Sequence, residues 1–130
     1  MEHITLQEYK QLQQKGKSKY KAKKTEVDGI KFDSQKEANR YLELKLLEKQ
    51  GLIKNIKVQV PYLLLDTIKY KGKTYPKTKY YADFQYIENK TNKVIVEDVK
   101  SEITRKDKVY RLKIKLLLSK YKDIDFREII

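Results

Sequence analysis

Two apolar runs separated by a polar, asparagine-containing segment, within residues 80–100, place the tightest constraint on how this chain can fold. The first run is rich in Tyr, Phe and Ile and the second in Val and Ile, a composition that favours strands, so the segment predicts an antiparallel β-hairpin. Successive side chains of a strand point to opposite faces. On that alternation Val94, Val96, Asp98 and Lys100 share one face of the second strand, with Ile95, Glu97 and Val99 on the other; in the first strand Tyr81, Asp83, Gln85 and Ile87 lie opposite to Tyr80, Ala82, Phe84 and Tyr86. With residues 89–92 as the loop, Glu88 pairs with Lys93, Asp83 falls directly across from Asp98, and Tyr81 falls across from Lys100. Directly opposed side chains stand about 4.5–5.5 Å apart at Cβ, where like charges repel. Two carboxylates so placed need positive charge between them. A divalent cation serves, with the Lys100 ammonium two residues further along the same face; so do nearby lysines around a solvent-facing pair.

The 130 residues make one domain with a single core the simplest organisation. Charged residues are 38% of the chain and hydrophobic ones 39%, yet the apolar residues fall in periodic segments, which argues for folding. The formal charge of +13 points to a polyanionic partner, nucleic acid first and an anionic membrane surface as the competitor. No apolar run approaches the roughly 18 residues of a spanning helix, and the start shows no signal-peptide pattern. The expectation is therefore a soluble, cytoplasmic protein with no membrane partner. With no cysteine, disulfides and thiolate metal sites are excluded, and His3 as the one histidine argues against a histidine-based zinc site or triad. A metal here must be held by carboxylates, which favours magnesium, manganese or calcium over zinc.

Near the N-terminus Thr5, Glu8, Ile4 and Tyr9 form a capping box and hydrophobic staple, predicting a short helix to about Gln14. Residues 10–24 carry seven lysines and no acid, a flexible basic arm in which Lys17, Lys19, Lys21, Lys23 and Lys24 are candidate phosphate contacts; a solubilising tail is the other reading. Residues 1–24 are thus set apart from a domain spanning 25–130. Asp28-Gly29, flanked by Val27, Ile30 and Phe32, predicts a small hairpin. A helix follows, with Ser34 as N-cap, Glu37 as its capping-box partner and Gly51 as the residue after its end. Glu37 is explained by capping alone; on a partly apolar face with Tyr41 and Leu44 it could also join a carboxylate cluster.

Residues 53–66 read as one long strand bent or interrupted at Pro61, and residues 70–79 as a lysine-rich loop or irregular hairpin. After Lys100 a helix runs to about Tyr121, with Val109, Leu112, Leu116 and Leu117 as its apolar stripe. Tyr110, Arg111, Lys113 and Lys115 are candidate DNA-backbone contacts or a solvated face. A final strand follows at 125–130, giving the order helix, three strands, helix, strand.

That order, with Glu37 on the first helix, Asp83 on the second strand and Asp98-Val99-Lys100 on the third, resembles the PD-(D/E)XK (restriction-endonuclease-like) nuclease superfamily. Residues 24–34, 81–84 and 96–100 are similar to a family of small phage-encoded, nuclease-like proteins, the similarity running from about Lys19 onward. The resemblance implies an α/β fold with an αβββαβ core, a central mixed sheet flanked by helices, and the N-terminal helix, arm and hairpin as additions. It implies a magnesium-dependent deoxyribonuclease, manganese substituting, in which Asp83, Asp98, Glu37 and the Val99 carbonyl hold the metal and Lys100 orients the attacking water. Ala82 stands where the superfamily name has proline, and Glu97 would exchange with Asp98 if the strand were bulged. By analogy of fold the enzyme would be a homodimeric endonuclease on branched DNA, Holliday-junction-resolvase-like, in phage recombination or replication. The alternative is a catalytically inactive DNA-binding or regulatory protein on the same fold.

Overall fold

The computed structural model describes residues 24–130, so the predicted N-terminal helix and the arm lysines Lys17, Lys19, Lys21 and Lys23 lie outside the described residues. Contacts divide the described residues into two compact units, the first ending at Leu46 and the second spanning Leu47–Ile130.

In the first unit β1 (Thr25–Val27) and β2 (Ile30–Phe32) form the hairpin predicted from Asp28-Gly29. Both turn residues have positive φ, 56° and 77°, the backbone that matches the twist of a two-residue hairpin loop and that Asp-Gly tolerates. Ser34 then opens α1 (Gln35–Lys49), its Oγ accepting the Glu37 N–H at 3.1 Å. Tyr41 on α1 packs its ring 5.2 Å from that of Phe32 and donates its hydroxyl to Asp28 Oδ2. The boundary between the units falls inside α1. Its C-terminus closes as the sequence predicts: Gly51 has φ 78°, its N–H reaches Glu48 O, and Leu52 N–H reaches Leu47 O, the paired bonds of a Schellman end.

The second unit is built on a four-stranded sheet in the order β3-β6-β7-β8. Here β3 is Ile53–Leu65, β6 is Thr78–Glu88, β7 is Val94–Val99 and β8 is Ile124–Ile129. The first three are antiparallel neighbours and β8 runs parallel to β7, joined to it through α2 (Lys108–Lys120). Fold class is therefore mixed α/β, a mixed four-stranded sheet with two helices. Among the described residues no helix is long and apolar enough to cross a membrane.

Three sequence expectations are corrected. Pro61 does not interrupt β3: it pairs with Tyr81 on an edge strand, where a missing N–H costs no ladder bond to a further neighbour. The register shifts fall instead between Lys54 and Lys57, where Asn55 has φ 57°, and between Leu63 and Leu65, while Gln59, with φ 50°, drops out of the ladder without a shift. Second, residues 68–75 form a regular two-stranded hairpin, β4 (Ile68–Tyr70) with β5 (Lys73–Tyr75), turned by Lys71-Gly72. Third, α2 buries only the second half of its expected stripe. Leu117 is fully buried and Leu116 packs with it, and Tyr110, Ile114 and Tyr121 complete the face against Tyr62, Leu64, Tyr80, Ala82 and Val96 of the sheet. Val109 and Leu112 stay exposed. The cause lies at the helix start: a 3₁₀ turn (Thr104–Lys106) precedes it, and Asp107 caps α2 by accepting the Tyr110 N–H.

Candidate active site

The central hairpin keeps the register expected from its loop. Ile87 pairs with Val94, Tyr86 with Ile95, Gln85 with Val96 and Phe84 with Glu97, while Glu88 N–H reaches Lys93 O at 3.0 Å. One step further, where Asp83 and Asp98 would face each other, the ladder ends. Asp83 Oδ2 instead accepts the Val99 N–H at 2.7 Å. On its other side β6 also skips a pair, since Val58 pairs with Phe84 and Val60 with Ala82 but Gln59 does not pair with Asp83. β6 is thus released from both neighbours at Asp83, where Gln59 takes its left-handed backbone.

That release changes which side chains share a face. Strict alternation sets Tyr80 on the side away from Asp98; in the structure the Tyr80 hydroxyl donates to Asp98 Oδ2, and that of Tyr62, the residue paired with Tyr80, donates to Gln85 Oε1. Tyr80 and Ala82 join the core cluster under α2, which does not include Phe84 and Tyr86. Gln85 is therefore a hydrogen-bonded partner of Tyr62.

Asp98 is 2% exposed. Its Oδ2 holds the Tyr80 hydroxyl, while its buried Oδ1 stands 2.8 Å from Lys100 Nζ, an ion pair at hydrogen-bond distance without hydrogen-bond geometry. Lys100 is 27% exposed and has its ammonium 4.8 Å from the centre of the Tyr110 ring. Tyr110 in turn donates to Glu128 Oε2 at 2.7 Å, and Glu128 is the register partner of Asp98 on the parallel strand. Burial, and then the charge and hydrogen bond of Asp98, hold the Tyr80 phenol far above its ordinary pKa. Tyr110 is raised by burial, then by its bond to Glu128 and by the charges of Asp98, Glu128 and Asp83. Both phenols are fixed as proton donors, and carboxylates from β6, β7 and β8 converge on them.

Glu97 faces the other way. It is fully buried and accepts the Tyr86 hydroxyl at 2.5 Å, and the pairing of β7 with β8 runs without a shift from Val94 to Val99. No bulge exchanges it with Asp98. Glu37 lies on α1 in the first unit, half-buried, its backbone serving the Ser34 cap. Of the basic candidates, Lys24 is exposed just before β1. Arg111 and Lys115 line an open cleft of about 550 Å³ with Arg105, Tyr110, Ile114 and Glu128, whereas Lys113 does not line it.

Tyr80 and Glu128 were not marked as site residues by sequence reasoning, and Tyr110 was marked only as a candidate DNA-backbone contact. For Glu128 a signal existed: Ile124 and Phe126 pack under α2, and period-2 counting carries that face to Glu128.

Among the described residues no group of three or more His, Cys, Asp or Glu side chains is placed to hold a metal ion. Asp83 and Asp98 supply two carboxylates. That donor set suits magnesium, which keeps several waters and binds through one or two carboxylates together with substrate phosphate. The undirected, buried Oδ1 of Asp98 is the atom through which such an ion would be reached.

Residues 17–130 match the family described as "Protein of unknown function (DUF1064)". No curated protein and no solved structure matches the chain.

Proposed function

We propose that this chain, a member of the DUF1064 family, is a magnesium-dependent DNA endonuclease with a restriction-endonuclease-like core. The observation that carries the reading is the buried Asp98 with Lys100 on one oxygen and Tyr80 on the other, beside Asp83 at the end of the hairpin ladder.

In this reading Asp83 and Asp98 would hold the ion. Bound magnesium would supply Lewis acidity at the scissile phosphate and a template for the attacking water. Tyr80 fixes the rotamer of Asp98 by its hydrogen bond, and the Val99 N–H does the same for Asp83. Lys100 offsets charge on the phosphate and donates to the water that attacks it. The water oxygen forms the new bond to phosphorus as its proton passes to solvent, one ester P–O bond breaks, and the departing oxygen takes up a proton from solvent. The Tyr110 ring holds the ammonium in place by a cation–π contact.

Arg105, Arg111 and Lys115 rim the cleft that shares Tyr110 and Glu128 with the cluster. Positive charge beside an acidic centre is what a polyanion needs to approach it, and the overall charge of +13 supports the same partner. Exposed Val109 and Leu112 on the outer face of α2 are the apolar surface that supports a homodimer.

The test is cleavage of labelled single-stranded, linear duplex and four-way-junction DNA with magnesium, manganese or EDTA. Cutting that needs metal and disappears in Asp98→Asn supports the endonuclease, and the substrate that is cut fastest names its type. DNA binding without cutting under every condition leaves a DNA-binding protein and removes the catalytic roles.

A further inference from the structure

Among the described residues the β4–β5 hairpin pairs only with itself. Its register, Ile68 with Tyr75 and Tyr70 with Lys73, sets Ile68, Tyr70, Lys73 and Tyr75 on one face. That face is bare: Ile68, Tyr70 and Tyr75 are 55%, 59% and 48% exposed. A lone two-stranded hairpin is marginal in water, and three large apolar side chains left there gain nothing from burial. The segment is also strongly basic. Residues 67–79 carry Lys69, Lys71, Lys73, Lys77 and Lys79 and no acid. Lys71 Nζ lies 5.4 Å from the centre of the Tyr70 ring, and Lys73 Nζ lies 5.6 Å from that of Tyr75.

An apolar protein partner would account for the tyrosines and leave the lysines unexplained. A duplex backbone would account for the lysines and leave the tyrosines unexplained. Unpaired DNA uses both, with bases stacking on aromatic rings and phosphates meeting ammonium groups. We propose that the β4–β5 hairpin grips unpaired DNA, its bases stacking on Tyr70 and Tyr75 and its phosphates paired with Lys71 and Lys73.

The choice of DNA rests on the function proposed above; the grip does not depend on cleavage. Binding is measured in EDTA, so a protein that binds a single strand but never cuts DNA loses the nuclease reading and keeps this one. Anisotropy of a labelled oligothymidine strand and of a matched duplex is compared for wild type, the Tyr70→Ala/Tyr75→Ala double variant and its Tyr→Phe counterpart. The expected result is a loss of about tenfold or more on the single strand for the alanine variant. Its duplex affinity should stay within about threefold, and the phenylalanine variant should bind as wild type, because stacking needs the ring and not the hydroxyl. Tyr70→Trp provides an independent readout, with indole fluorescence quenched by the strand. Unchanged single-strand affinity in the alanine variant overturns the proposal, as does equal loss on strand and duplex. So does indole fluorescence that the strand leaves unquenched in Tyr70→Trp, which decides the matter if the alanine variant fails to fold. Loss of self-association with unchanged DNA affinity would assign the face to a second copy of the chain and overturn it too.

Discussion

The carboxylate of Asp83 accepts the backbone N–H of Val99 at 2.7 Å, so a side chain of one strand replaces a ladder bond of the other. The bond ties an acid of β6 to the residue between Asp98 and Lys100. Asp83→Asn can keep it through the amide oxygen while removing the charge, whereas Asp83→Ala loses both. The asparagine variant should therefore fold with near-native stability and lose about a hundredfold or more in magnesium-dependent cleavage. The alanine variant should lose the same activity and about 1–3 kcal/mol in denaturant unfolding.

Lys100→Met removes the ammonium that stands 2.8 Å from Asp98 and leaves the buried Oδ1 without that counter-charge. Partial exposure of Lys100 softens the cost, so a loss of about 1–3 kcal/mol is expected in urea unfolding. Cleavage should fall about 10²–10³-fold. Lys100→Arg keeps the charge and should recover stability more fully than activity, since a fork does not replace a point donor.

Alkaline stability should report Tyr80. Its folded pKa is raised from 10.0, first by burial and then by Asp98. The unfolded chain therefore loses the phenolic proton first, and the native state binds more protons at high pH. The stabilisation is complete below about pH 10 and is lost as pH rises above it. Urea midpoints measured from pH 8 to 11 should fall less steeply in Tyr80→Phe than in wild type, from a lower starting value, because that variant leaves Asp98 Oδ2 without its phenolic donor.

The packing of α2 gives a direct contrast. Leu117 is fully buried and Leu112 is exposed, so Leu117→Ala should cost about 2–5 kcal/mol, and Leu112→Ala about 0.5 kcal/mol or less in the monomer, with any larger effect appearing in self-association.

Binding to duplex DNA should separate Arg111 and Lys115 from Lys113. The first two line the cleft beside Glu128 and the third does not. Alanine at either cleft position should lower the slope of log affinity against log salt by about 0.9, one phosphate contact each. Lys113→Ala should leave the slope unchanged.

Local chemistry made much of this legible in the sequence. Asp28-Gly29 announced a turn because both positions tolerate positive φ, and Ser34 with Gly51 marked the ends of α1 because caps act through neighbours a few residues away. The register of β6 on β7 followed from the loop length alone. What alternation missed was the release of β6 at Asp83, because it depends on Gln59, 24 positions earlier, in a left-handed backbone. The same limit hid Tyr110. Its placement over Lys100 depends on where Asp107 starts the helix and on a parallel pairing that brings Glu128 beside Asp98. Lys71-Gly72 was a turn signal within a lysine-rich stretch, and the charge obscured it.

The end of the β6–β7 ladder also bears on folding order. Asp83 and Asp98 are joined through a short hairpin loop, and a hairpin forms in about 1–10 μs. Glu128 and the Tyr110 ring arrive only after the crossover through α2 docks β8 in parallel, a slower, non-local step. On these timescales the two acids are expected to be brought to the end of the ladder before Tyr110 closes over Lys100. Neutralising either acid should speed the formation of the hairpin even where it abolishes what the finished site does.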